Sequence, residues 1–337
     1  MGFLKKIISF FFVFLLTFII VFYFWAKQAN YSHKEYSEII QFSYKNKLSL
    51  QDTFSVMTYN IGYLSGMKNN LAIDMPKELF ASNLESANEL IISTSADIVA
   101  MQEIDFHSSR SYFANQFIEL GEKTGYSVGG TSVNWDKRYV PFPYWPFKFH
   151  FGEMLSGQAV LSNSPIISNE RVVLPKPKSN PFYYNAFYLE RLAQLVWVEK
   201  QGDSLLIINV HFEAWDGPTR EKHAEIVLDI FKRYESDYPI ILMGDFNCNP
   251  PYSVNALNEK TIATLINYPN ISSAISQQQY NGSPELFFTF SSGSPYEKID
   301  YIFYNNKYLS CYFSKVIHPK TEISDHLPVY ARFATIQ

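Results

Sequence analysis

Eight side chains able to bind a hard cation or move a proton stand at or just past the ends of apolar segments. They are Asn60 in Thr58-Tyr59-Asn60, Glu103 in Met101-Gln102-Glu103, His211 in Asn209-Val210-His211, and Asp245 with Asn247 in Gly244-Asp245-Phe246-Asn247. Asp300 follows in Lys298-Ile299-Asp300-Tyr301, and Asp325 with His326 in Ser324-Asp325-His326-Leu327-Pro328. Carboxylate and amide oxygens suit a hard divalent cation, and imidazole exchanges a proton near neutral pH. Taken singly, each is bland: an Asp after a strand is usually a turn former, and a lone His is usually a satisfied surface or core residue. The order and local context of the whole set carry the signal.

The elements that must position these residues read mainly as strands. Apolar runs predict strands over 54–59, 98–101, 158–161, 192–198, 205–210, 240–243, 299–303, 312–317 and 329–333. Helical spacing of apolar residues predicts helices over Lys77 to Ser93 and Thr219 to Tyr234. So many strands with few helices between them argue for sheets packed face to face and covered by helices, rather than a parallel doubly wound sheet. Strand ends converge on one edge of a sheet, so residues far apart in the chain can form one site. Two aromatic segments, Trp135 to Phe151 and Phe182 to Tyr188, are expected as long loops folded onto the body, or else as walling a substrate cleft or touching a membrane surface. The prolines of the first exclude a regular helix or central strand there.

The N-terminus is of another kind. Lys5 and Lys6 precede an uncharged apolar run from Ile7 to Ala26, closed by Lys27. At about 1.5 Å per residue this run is long enough to cross a hydrocarbon layer of roughly 30 Å. Phe22-Tyr23-Phe24-Trp25 offers no small-residue cleavage site, so the run reads as an uncleaved signal anchor rather than a signal peptide. The lysine pair predicts a single-pass topology with the N-terminus cytoplasmic and the catalytic domain extracytoplasmic. The expected organisation is an anchor helix over 1–27, a juxtamembrane linker over 28–51 and a catalytic domain over 52–337. In the whole chain of 337 residues, 28 basic side chains are set against 32 acidic ones, so no basic excess announces a nucleic-acid binder, although a local groove would suffice for one. Cys248 and Cys311 are too few for a disulfide scaffold and lack metal-ligand spacing.

In this order, the blocks T-Y-N, Q-E, N-x-H, G-D-F-N, I-D-Y and S-D-H-x-P-V resemble those of the endonuclease/exonuclease/phosphatase superfamily, which includes DNase I-like and sphingomyelinase-like enzymes. The likeness covers roughly Phe54 to Phe333. It implies a four-layer α/β sandwich of two packed, mainly antiparallel sheets flanked by helices, here preceded by one transmembrane helix. It also implies a phosphoesterase that uses a divalent cation, usually Mg²⁺, with Mn²⁺ or Ca²⁺ as alternatives.

By that resemblance Glu103 is the chief metal ligand, with Asn60 close by and Asp325 assisting. Asp245 orients and deprotonates the attacking water, and Asn247 holds water or phosphate beside it. His326 donates to a non-bridging phosphate oxygen, Asp300 orients His326, and His211 contacts the phosphate or protonates the leaving group. Attack on a phosphate ester builds negative charge on several oxygens, which is why a cation and aimed donors are needed. Arg110 and Trp215 are weaker candidates for substrate contact. Tyr296-Glu297-Lys298-Ile299-Asp300 departs from the Trp-Cys-Asp-Arg stretch of the inositol polyphosphate phosphatases and counts against that branch. The expected partners are a lipid bilayer, through the anchor, and a phosphodiester substrate, with no protein partner. A lipid phosphodiester is favoured over nucleic acid, because tethering raises the effective concentration of membrane substrates. An inactive, membrane-tethered interaction module is a third reading.

Overall fold

The computed structural model describes residues 2–42 and 49–336. Along the chain lie α1 (Gly2–Ala26), β1 (Ser37–Gln41), β2 (Thr53–Asn60), α2 (Lys77–Thr94), β3 (Ile98–Asp105), α3 (Gln116–Thr124), β4 (Val128–Val140), β5 (Gly152–Ser162) and β6 (Ile166–Leu174). Then come α4 (Phe182–Asn185), β7 (Arg191–Lys200), β8 (Asp203–His211), α5 (Gly217–Tyr234), β9 (Ile240–Asp245), α6 (Thr261–Ile266), β10 (Ile271–Ser273), α7 (Gln277–Gly282), β11 (Asp300–Asn305), β12 (Leu309–Val316) and β13 (Val329–Thr335).

Among the described residues thirteen strands form two sheets, one of seven in the order β1-β4-β5-β3-β2-β13-β12 and one of six in the order β10-β11-β9-β8-β7-β6. Each sheet is antiparallel except for one central pair, β2 with β3 in the first and β8 with β9 in the second. Val56, Ile98, Val160, Ile207, Met243 and Val329 pack between the sheets. Their chain neighbours face outward. Met57, Val99 and Met101 meet Phe80, Leu84 and Leu120 from α2 and α3, while Ile208, Val210 and Leu242 meet Val227, Phe231 and Ile262 from α5 and α6. Helix, sheet, sheet and helix make the four layers. Because both faces of the central strands are buried, these strands read as unbroken apolar runs rather than alternating ones.

A polar seam crosses the core between the sheets. Gln102 Nε2 donates to Thr58 Oγ1 at 3.1 Å and to Asn209 Oδ1 at 2.6 Å. Asn209 Nδ2 donates to Gln194 Oε1 at 3.0 Å, and Gln158 Nε2 donates to the Asn209 carbonyl at 2.9 Å. All five residues are completely buried. Buried amides are costly unless paired, so this pattern permits only one alignment of the sheets.

Two expectations are corrected. Residues 28–51 are not merely a linker: Ser37–Gln41 form an edge strand antiparallel to β4, with Tyr36 and Phe42 buried on either side of it. Residues 43–48 of that segment lie outside the described residues. The aromatic segment beginning at Trp135 is not a loop throughout, because residues 135–140 complete β4, an interior strand between β1 and β5. The ring-bearing prolines, Pro141, Pro143 and Pro146, all lie beyond it. Cys248 is buried and Cys311 partly so, and both are free.

Candidate active site where the two sheets meet

The strand ends converge at one edge of the sandwich, and local backbone features aim the side chains. β3 slips register against β5 between Met101 and Ile104, and Glu103 within that bulge takes a φ of 52°. A bulge re-aims a side chain, and here it turns Glu103 toward the cleft. At the end of β9, Gly244 has a φ of 144°, and a Cβ there would lie 2.0 Å from the Val210 carbonyl oxygen, so only glycine lets β9 pass β8 at that point. His211 and Asp300 both pair with Asp245 in register, from β8 and β11 respectively. Asn247 adopts a φ of 50°, and its N–H donates to Asp245 Oδ1 at 2.8 Å, a turn that asparagine tolerates well.

Asp245 is 1% exposed and is held from two more sides. Asn60 Nδ2 donates to its Oδ2 at 2.9 Å and Asn247 Nδ2 reaches the same oxygen at 3.3 Å. Burial, reinforced by the charge of Asp300 and only partly offset by His326, pushes the Asp245 carboxyl up to about 7. His326 Nδ1 donates to Asp300 Oδ2 at 2.9 Å, and its Nε2 lies 3.8 Å from Asp245 Oδ2. Burial alone would lower the affinity of His326 for a proton, but the carboxylates of Asp300 and Asp245 outweigh it and push its imidazole well above the usual range. The Phe290 ring covers one face of the imidazole, 5.1 Å between centroids.

Glu103 stands nearby with Asp325. Asn69 Nδ2 donates to Glu103 Oε2 at 2.8 Å and reaches Asp325 Oδ2 at 3.5 Å, so one amide bridges two carboxylates. Burial and the charge of Asp325 push the Glu103 carboxyl upward. Asn60 also caps the following turn, its Oδ1 accepting from the Gly62 N–H at 3.0 Å.

Arg191, at the start of β7, completes the set. Its Nη1 faces His211 Nε2, and its Nε is 3.6 Å from Glu213 Oε2. Tyr188 Oη donates to Glu213 Oε1 at 2.8 Å. Burial and the adjacent guanidinium hold His211 well below the usual histidine range, so it is neutral. His211 Nε2 sits 3.5 Å from Asp245 Oδ2 and 3.7 Å from Glu103 Oε1. With an arginine N–H directed at Nε2, that nitrogen is an acceptor in the neutral ring.

Of the predicted site residues, Asn60, Glu103, His211, Asp245, Asn247, Asp300, Asp325 and His326 thus lie within one constellation. Trp215 lies at the mouth of the same cleft, 86% exposed. Arg110 does not itself line the cleft: its guanidinium is paired to both oxygens of Asp105 at 3.1 and 2.9 Å and stacks on the ring of Tyr63, a residue of the cleft wall. Asn69, Arg191 and Glu213 were not legible beforehand. Asn69 lies in a polar loop, and Arg191 reads only as a charge flanking a strand.

The cleft encloses about 620 Å³. Its floor is polar, and its walls come from the two aromatic segments, with Trp135, Phe142 and Tyr144 from one and Tyr184, Phe187 and Tyr188 from the other. The carboxyl groups of Glu103, Asp245, Glu297 and Asp325 line the cleft together with Arg191, His211 and His326.

The model of the Endonuclease/Exonuclease/phosphatase family matches residues 57–326. Solved structures share the fold at low identity. An endonuclease/exonuclease/phosphatase from Bacteroides vulgatus matches with TM-score 0.58 and 18% identity over 84% of this chain and 99% of that one. The human Nocturnin catalytic domain with bound sulfate anion matches with TM-score 0.58 and 19% identity, covering 89% and 98%. Truncated Caenorhabditis elegans TDP2 gives TM-score 0.54 at 13% identity, covering 84% and 97%. No curated protein sequence matches the chain.

Proposed function

The chain belongs to the Endonuclease/Exonuclease/phosphatase family, whose members generally hydrolyse phosphoester bonds, and from that premise we propose that it is a membrane-anchored, divalent-cation-dependent phosphodiesterase. One observation carries the reading. Asp245, fixed by Asn60 and Asn247, and His326, fixed by Asp300, address the same point of the cleft with 3.8 Å between their nearest heteroatoms.

A phosphodiester held there places one oxygen against the His326 Nε2–H, with the Asp245 carboxylate beside it. Asp245 orients a water and accepts its proton as the oxygen attacks phosphorus in line, the ester P–O bond opposite the water breaks, and the departing alcohol oxygen takes a proton from solvent. The protonated His326 donates to a non-bridging oxygen, where charge grows toward the transition state. Arg191 supplies a second fixed positive charge and keeps His211 neutral, so that His211 does not compete for the proton.

The donor set fits a hard divalent cation. Glu103 and Asp325 are crowded around a single amide, and burial together with the charge of Asp325 raises the Glu103 carboxyl, a cost that a cation would relieve. The tightest group of ligand atoms is Asp245, Asp300 and His326, within 4.8 Å of one another, but the hydrogen bond between Asp300 and His326 already occupies two of them. We therefore place the cation at Glu103, with Asn60 and Asp325, and Mg²⁺ is the ion whose oxygen preference fits best. Bound there, it would supply Lewis-acid stabilisation of phosphate charge.

A lipid phosphodiester is favoured over nucleic acid. Among the described cleft-lining residues Arg191 is the only lysine or arginine, whereas a bound polyanion calls for a basic track. Lys176, beside the second aromatic segment, is tied to the carbonyls of Asn185 and Tyr188. Anchoring through α1, which is long and apolar enough to cross a membrane, is supported by the packing of its last turn on the domain: Ala26 is fully buried. The lysine pair at its start supports an extracytoplasmic domain.

The test is Mg²⁺-dependent release of p-nitrophenol from bis(p-nitrophenyl) phosphate by the full chain in detergent. Wild type should show it, and Asp245→Asn should lower it by about 10²-fold or more. Equal rates for the two would refute the reading and favour an inactive tethered module. Faster cleavage of DNA than of sphingomyelin by the same preparation would move the substrate to nucleic acid.

A further inference from the structure

The base of α1 and the wall of the catalytic cleft are made of the same aromatic segments. Phe22 meets Tyr139 at 5.6 Å between ring centroids, and Tyr23 meets Phe187 at 5.7 Å and Phe182 at 6.4 Å. The Arg138 N–H donates to the Gln28 carbonyl at 2.9 Å, and the N–H groups of Asn30 and Tyr31 donate to the Asp136 carboxylate at 2.8 and 2.9 Å. The helix is therefore clamped to the domain as it leaves its last turn, which fixes how the cleft faces the helix axis.

From this junction the two segments turn both ways. Tyr144, Tyr184 and Phe187 face the cleft. Trp145, Phe147, Phe182 and Tyr183 face solvent, at 72%, 66%, 77% and 56% exposure. They form ring pairs, Trp145 with Phe147 at 4.9 Å and Phe182 with Tyr183 at 5.6 Å, and Lys148 stands exposed beside the first. Clustered exposed apolar rings mark a contact surface, and Trp, Tyr and Lys are the residues that settle at a membrane–water boundary. Their depth agrees with this. The 25 residues of α1 span about 37 Å at 1.5 Å each, more than a hydrocarbon layer of roughly 30 Å, so the last turn emerges at the headgroups, and Phe182 touches that turn.

We propose that Trp145, Phe147, Phe182 and Tyr183 seat in the interfacial layer of the bilayer that α1 crosses, so that the cleft opens among phospholipid headgroups and takes its phosphodiester directly from the lipid surface. The contact rests on the anchoring reading, and the substrate class rests on the phosphodiesterase reading.

Two measurements on the full chain in phosphatidylcholine vesicles separate these. In a Trp25→Phe background, phosphatidylcholine brominated near the headgroup end of its acyl chains should quench a component of tryptophan emission that disappears in Trp25→Phe/Trp145→Phe. Identical quenching with and without Trp145 overturns the membrane contact, whatever covers the patch instead. In parallel, Trp145→Ser/Phe147→Ser/Phe182→Ser/Tyr183→Ser should leave hydrolysis of soluble bis(p-nitrophenyl) phosphate unchanged while lowering hydrolysis of sphingomyelin or phosphatidylcholine in the same vesicles by about tenfold or more. Equal losses on soluble and lipid substrates overturn direct capture from the bilayer. If wild type cleaves neither substrate, the phosphodiesterase reading fails, and the quenching result alone decides the contact.

Discussion

Gln102 Nε2 lies 2.6 Å from Asn209 Oδ1 across the interface between the two sheets, in a core otherwise packed with Val, Ile and Met. Each residue sits beside a site residue in its own strand, Gln102 before Glu103 and Asn209 two before His211. The hydrogen bond therefore sets the register in which Glu103 on one sheet meets His211 and Asp245 on the other. Replacing Asn209 with alanine leaves Gln194 Oε1 without its donor and takes from Gln102 Nε2 the shorter of its two hydrogen bonds, and a buried unsatisfied group costs about 1–3 kcal/mol. Urea denaturation of the detergent-solubilised chain should show Asn209→Ala destabilised by about 2 kcal/mol or more, together with lower phosphodiesterase turnover. A loss within the scatter of surface substitutions would show that apolar packing alone aligns the sheets.

Asp300 acts through His326. Its carboxylate accepts from Nδ1 at 2.9 Å and is the first of the charges that raise the imidazole. A raised histidine stays protonated to higher pH and loses its proton as pH climbs through that raised value, so activity that needs the imidazolium falls on the alkaline side. In Asp300→Asn the proton is lost at lower pH, and the alkaline limb of the rate profile should move down by about one unit or more. An unmoved limb with reduced turnover would leave Asp300 a purely structural role.

Glu103 and Asp325 repel each other around Asn69, and a cation would relieve that repulsion. Mg²⁺ should raise the melting temperature of the wild-type chain, as any ligand of the folded state does, and should do so far less in Glu103→Ala. The Mg²⁺ concentration for half-maximal activity should rise by about tenfold or more in that variant. Identical Mg²⁺ stabilisation in both proteins would move the cation elsewhere.

His223 supports the site from behind. It is fully buried, its Nε2 donating to the Pro175 carbonyl at 2.7 Å and its Nδ1 accepting from the Glu213 N–H at 3.3 Å. Burial holds its imidazole down to about 4 from 6.5. Between those values the unfolded chain binds a proton that the folded chain refuses, so stability falls as pH drops from 6.5 toward 4, by up to roughly 3 kcal/mol for this group. It is fully present above 6.5. His223→Gln should flatten that portion of the pH dependence of the urea midpoint, and a parallel slope in both proteins would assign the loss to other groups.

The sequence by itself determined the central strands, because their residues are buried on both faces and so must be apolar throughout. It also determined the blocks that end them, since Gly244 and the Asp245 to Asn247 turn are demanded by local backbone geometry. The helix over Gly2–Ala26 was equally legible, as no other element keeps so long an apolar run.

Tertiary structure decided the rest. β1 and the far end of β4 are strands only because a neighbouring edge accepts their hydrogen bonds, and composition alone read them as linker and loop. Arg110 and Arg191 look alike on paper. Asp105 takes up the first behind the cleft wall, whereas the second, though 3.6 Å from Glu213, lines the cleft and faces His211. Whether a charge is spent internally or presented to a ligand depends on which side chains arrive from distant strands, and one-dimensional spacing does not carry that information.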